Sequence, residues 1–131
     1  MMNSAITIRP GLDCSVRIED GIAIAELAGE LDLARAPALR EQLLGLLRPG
    51  SSRLILDLSR VSFCDASGLA VLVGTGRRAR LLGGFQRLAA VSPQVARVLS
   101  LTGLRRHLPV FATVQAAAAG TPAGQTSRAA A

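Results

Sequence analysis

A mixed α/β sheet, opened by an antiparallel N-terminal hairpin and continued by parallel β-α-β units, with helices packed mainly on one face, is the fold class this sequence predicts. Three observations lead there. Two runs of alternating apolar and polar residues meet at Asp20-Gly21, a dipeptide that favours a tight hairpin turn. Downstream, short apolar runs alternate with segments of helical period, the pattern of right-handed crossovers that make neighbouring strands parallel. Half of the 131 residues are apolar, which suits one compact core, and the chain is too short for two ordinary domains.

Taken in order, residues 1–13 form an N-terminal segment that is partly strand, residues 14–118 the domain, and residues 119–131 a flexible tail. "CSVRIEDGIAIAEL" supplies the hairpin. In "LARAPALREQLLGLL", Leu39, Leu43, Leu46 and Leu47 share a helical face, and Pro37, tolerable only in a first turn, sets the start near residues 33–36. "RLILDLS" is nearly continuous in apolar residues, as a strand buried on both faces should be. From Ala66 the period becomes helical, with Leu69, Leu72, Val73, Gly76 and Ala79 on one stripe, Arg77, Arg78 and Arg80 near its edge, and Gly83-Gly84 as the stop. "FQRLAAV" is the next strand. "SPQVARVLSLTG" is a helix with Ser92 as N-cap, Pro93 at the first position, an inner stripe of Val95, Val98, Leu99 and Thr102, and Gly103 past its end. "HLPVFAT" is an edge strand because Pro109 cannot donate to a ladder, His107 being one of its polar residues; "VQAAA" adds a helical turn. "AGTPAGQTSRAAA" has no bulky apolar residue to bury.

Composition excludes several functions. No apolar run approaches the eighteen residues of a membrane span, and the start lacks the layout of a secretory signal, so a soluble cytoplasmic protein without membrane insertion is expected. The net charge is +6, and all 15 basic residues are arginine. They are scattered, however, and the chain has no Tyr or Trp and three Phe, which removes most base-stacking candidates and argues against direct nucleic-acid binding. Cys14 and Cys64 lack metal-ligand spacing and read as buried thiols; no metal or cofactor is expected. "GTGRRA" is no phosphate loop, since it neither follows a strand nor carries the P-loop lysine.

"FCDASGLAVL" places an aspartate and a serine where an apolar strand gives way to a helix. Asp65 can cap the backbone N–H groups of the next turn, and Ser67 sits where those groups and the helix dipole favour negative charge. Phosphate on Ser67 adds about −1.5 to −2 charges that the helix terminus tolerates and Asp65 opposes. Read as structure alone, Asp65 is a cap, Ser67 a first-turn serine, and Asp32 a possible cap for the first helix. A hydrolase elbow fits poorly, because Asp65 stands where G-x-S-x-G needs its first glycine, so the protein is not expected to be an enzyme.

Three ordered segments, "GELDLARAP", "LILDLSRVSFCDASGLAVLV" and "VLSLTGLRRHLPVF", resemble the STAS domains, specifically the single-domain anti-sigma factor antagonists, over roughly Cys14 to Val114. The resemblance implies a partner that is an anti-sigma factor with serine kinase activity, bound by the unphosphorylated antagonist so that a sigma factor is freed. Phosphorylation on the serine before the glycine releases the antagonist, and a serine phosphatase resets it. Carried onto this chain, the phosphoacceptor is Ser67, and the partner-binding residues are Asp32, Asp65, Ala66, Ser67, Gly68 and Leu69. Ala66 stands where family members often have a second serine. The alternative the family offers is a STAS scaffold without a phospho-switch, in a stress-signalling or lipid-transport complex.

Overall fold

The computed structural model describes residues 4–120. Strands β1 (Ser4–Arg9), β2 (Leu12–Glu19) and β3 (Ile22–Leu31) form an antiparallel meander, and β3 is followed by β4 (Arg53–Cys64), β5 (Phe85–Ala89) and β6 (Val110–Phe111), all parallel to it. The six strands lie in the sheet in the order in which they occur in the chain. At the β2–β3 turn Asp20 and Gly21 have φ of 52° and 77°. Positive φ at both central residues is what a hairpin turn matched to the strand twist requires. Residues ahead of Cys14 supply β1 and the first two residues of β2.

Helices α1 (Ala36–Gly45), α2 (Ala66–Leu81) and α3 (Pro93–Thr102) cover one face. Leu39 and Leu43 from α1, Leu69 and Leu72 from α2, and Val95 and Leu99 from α3 meet Leu54 and Leu56 of β4 there, all without solvent exposure. Burying each such leucine contributes roughly 1.5–3 kcal/mol, which makes this layer the main core. On the opposite face, the short helix α4 (Val114–Ala119) brings Ala117 against Ile24, Ile55 and Phe111. Leu54 and Ile55 thus face different cores, as a strand buried on both sides must.

Several elements differ from expectation. β4 runs to Cys64, five residues past "RLILDLS", and two register irregularities against β3 explain why its end does not read as a strand. Beyond Leu58 only Val61 and Cys64 are buried, so the inward period changes from two to three. α1, by contrast, starts at Ala36, within the expected 33–36, with Pro37 in its first turn. Thr102 is exposed rather than part of the inner stripe, and its hydroxyl donates back to the Val98 carbonyl at 2.8 Å. His107 belongs to a 3-10 turn (Leu104–His107), because the left-handed Gly103 closes α3 and the chain tightens immediately; the last strand shrinks to Val110–Phe111 at the sheet edge. The helical turn at "VQAAA" extends as α4 to Ala119. Of the tail expected over residues 119–131, everything past Gly120 lies outside the described residues.

Candidate functional site

The end of β4 and the start of α2 are held from three directions. The Asp65 N–H donates to the Leu31 carbonyl at the end of β3, at 3.1 Å. One Asp65 carboxylate oxygen accepts the Gly68 N–H at 3.0 Å, so Asp65 is the N-cap of α2. The other accepts the Leu33 N–H at 3.1 Å, tying the loop between β3 and α1 to the same carboxylate. From the third side, Gln94 of α3 brackets the Cys64 peptide: its Oε1 accepts the Cys64 N–H at 2.9 Å and its Nε2 donates to the Cys64 carbonyl at 3.3 Å.

The neighbouring loop is fixed by its own charges. Arg35 Nη1 donates to Asp32 Oδ2 at 2.6 Å and stands 3.3 Å from Glu30 Oε1, while its Nε donates to the Pro10 carbonyl at 2.8 Å. Asp32 Oδ1 accepts the Arg35 N–H at 3.1 Å. Asp32 therefore stabilises the turn ahead of α1; the N-cap position itself is Arg35, whose side chain makes no capping bond. Arg35 thus joins the β1–β2 turn to the loop that Asp65 holds.

Of the residues assigned to the site from sequence, Asp32 lies in the loop between β3 and α1, and Asp65, at the start of α2, holds that loop through the Leu33 N–H. Ala66 is exposed and Ser67 half-buried, and the Ser67 hydroxyl makes no hydrogen bond among the described residues. Both belong to the first turn of α2, where N–H groups have no partner within the helix. Gly68 and Leu69 face inward. A Cβ on Gly68 would collide with the Leu31 carbonyl, and Leu69 is fully buried in the core. These two therefore position the turn and offer no side-chain surface.

Four residues escaped the sequence reading. Leu33 and Phe63 are 71% and 41% exposed, and they frame the turn from the loop and from β4. Leu33 lies in the loop ahead of α1, and Phe63 lies past "RLILDLS", where the register shifts break the strand period. Arg35 and Gln94 act through tertiary bonds to the Pro10 carbonyl and to the Cys64 peptide, for which no local pattern exists. Cys64 adjoins the cap with its thiol pushed up to about 12 by burial and, secondarily, by the Asp65 carboxylate; burial likewise raises Cys14 to about 11. Both are free thiols. His107 is exposed and makes no hydrogen bond to Ser67 among the described residues.

Residues 13–117 match the model of the STAS domain. The chain belongs to the STAS family. Over 86 residues it is 37% identical to the anti-sigma-B factor antagonist of Bacillus subtilis, covering 66% of this chain and 78% of that protein. It is 30% identical over 114 residues to the anti-sigma-F factor antagonist RsfB of Mycobacterium tuberculosis, covering 87% and 93%. Among solved structures, an anti-sigma factor antagonist from Mycobacterium paratuberculosis superposes with a TM-score of 0.76 at 27% identity, covering 88% of this chain and 98% of that one. The antagonists of the STAS family are non-enzymatic regulators, and this STAS domain has their mixed six-stranded sheet and four helices. None of its described helices is long and apolar enough to cross a membrane.

Proposed function

We propose that this STAS domain is an anti-sigma factor antagonist that docks in its unphosphorylated state on an anti-sigma factor with serine kinase activity, thereby releasing a sigma factor. Phosphorylation of Ser67 ends the complex, and a serine phosphatase restores it. The observation that carries this reading is the state of the Ser67 hydroxyl: half-exposed, without a hydrogen-bond partner among the described residues, in the first turn of a helix whose cap is occupied by Asp65.

The electrostatics support a switch that acts on the surface. Helix N–H groups and the dipole favour a phosphate on Ser67, while the neighbouring Asp65 carboxylate opposes it, so the fold accommodates the modification. A partner packed on Leu33, Phe63 and Ala66 instead meets a dianion that must be paired or desolvated. Leaving a charge unpaired in an interface costs several kcal/mol, and about 3 kcal/mol is already more than a hundredfold in affinity. Asp32 and Asp65 hold the two loops that shape this surface, and Gly68 and Leu69 set its floor.

The test is intact mass and site mapping on protein incubated with ATP and its candidate anti-sigma kinase, beside Ser67→Ala. The expected result is one phosphate on Ser67, absent from the variant, together with loss of the complex. A stable complex without phosphate assigns the domain to constitutive antagonists or scaffolds; neither complex nor phosphate overturns the assignment of the partner.

A further inference from the structure

A second surface lies between α1 and α2, away from Ser67. Arg40 and Leu44 of α1, with Leu47 in the turn after it, line one wall of a groove of about 420 Å³. Gly74, Arg77, Arg78 and Leu81 of α2 line the other. Both walls repeat at helical spacing, i, i+4, i+7 on one side and i, i+3, i+4, i+7 on the other, so each presents a stripe about 10 Å long.

Three features of this groove have no role in the fold. Arg40, Arg77 and Arg78 are exposed, and none pairs with a carboxylate among the described residues, whose ion pairs are confined to Arg17 and Arg35. Leu81 is 74% exposed at the rim. The floor is open because residue 74 is glycine: a Cβ built there meets no atom within 4 Å. A glycine inside a helix weakens it relative to alanine, and neither a turn nor a close contact requires it here.

We infer that the groove is a docking site for an acidic segment of a protein partner, with one apolar side chain seated over Gly74 and flanking carboxylates on Arg40, Arg77 and Arg78. Charge complementarity selects this occupant. Three guanidiniums around an apolar floor match a segment in which Asp or Glu flanks Leu or Phe, and guanidinium groups pair with carboxylates through two parallel hydrogen bonds. With Gly74 and Leu81 exposed on its wall, the groove admits a side chain from a passing segment. It contains no aromatic residue on which a nucleic-acid base could stack.

The test uses the intact protein, isotope-labelled for NMR, and a synthetic acetylated peptide, DELLEDLFEE, as probe. Shift changes centred on Arg40, Gly74, Arg77 and Leu81 are expected, with affinity falling as salt is added. Arg77→Glu/Arg78→Glu is expected to weaken binding at least tenfold. Gly74→Leu fills the floor and is expected to weaken it about fivefold, with the spectrum of the core unchanged. Polyglutamate of equal length, lacking the apolar anchor, is expected to bind at least tenfold more weakly. The proposal is overturned by absence of binding at millimolar peptide, by shifts centred elsewhere, by Gly74→Leu binding as well as the parent, or by equal binding of polyglutamate. Tighter binding of anionic lipid vesicles or of a DNA duplex at the same residues also overturns it.

Discussion

Asp65 and Leu33, thirty-two residues apart, are joined by a 3.1 Å hydrogen bond from the Leu33 N–H to the carboxylate that also caps α2. One side chain thereby holds the start of α2 and an exposed apolar residue of the neighbouring loop in a single frame. Replacing Asp65 with Ala removes both bonds. Loss of a cap alone costs about 1 kcal/mol, so the expected change in urea unfolding is about 1–2 kcal/mol. Asp65→Asn, which keeps one carbonyl oxygen, should lose less. Equal unfolding midpoints for Ala and parent would show that the carboxylate is not holding the frame.

Ser67 variants should separate binding from folding. Ser67→Ala is expected to bind the anti-sigma partner like the parent, and Ser67→Asp at least tenfold more weakly, by calorimetric titration. Neither should change stability by more than about 0.5 kcal/mol, because the hydroxyl makes no bond among the described residues. Indistinguishable affinities for the two would sink the switch.

Gly68→Ala tests the close approach of two backbones. The added methyl must displace the Leu31 carbonyl, which accepts the Asp65 N–H, and such overpacking costs about 1–3 kcal/mol. Alanine otherwise favours helices, so a stabilised variant would show that β3 and α2 are less tightly apposed.

Gln94→Leu leaves the Cys64 peptide without its bracket. Each orphaned buried group costs about 1–3 kcal/mol, and the loss should appear as faster amide exchange at Cys64 and Asp65 as well as a lower unfolding midpoint. Exchange unaltered at these amides would assign Gln94 a role confined to α3.

The thiols predict a pH dependence. Burial raises Cys14 to about 11 and Cys64 to about 12 from an ordinary 9.0, so the unfolded chain releases these protons first. Their contribution to stability is complete below pH 9.0 and is lost progressively as the pH rises from there toward the folded values. Cys14→Ala/Cys64→Ala should flatten the alkaline limb of the stability profile. An unchanged limb would assign it to other groups.

Much of this architecture is written locally. The Asp20-Gly21 turn, the Ser92 cap and the glycine that ends α3 are each specified by adjacent residues, and the structure places all three as their chemistry dictates. Asp65 likewise reads as a cap from position alone. What was not legible depends on distant partners. The end of β4 keeps strand geometry through its pairing with β3 although its apolar period is three, and Phe63 surfaces as a result. The Arg35 and Gln94 contacts join segments 25 and 30 residues apart. His107 reads as a strand residue because Pro109 marks an edge, whereas the tight turn after Gly103 takes up those residues first.

Because every strand lies beside its predecessor in the chain, the sheet can be laid down in the direction of synthesis, each new strand finding its neighbour already in place. The Leu31 carbonyl has therefore emerged before the Asp65 N–H that it accepts, and Ser67 follows only after β1 to β4. A nascent chain that stalls before β4 has exposed neither Ser67 nor the carboxylate that caps its helix.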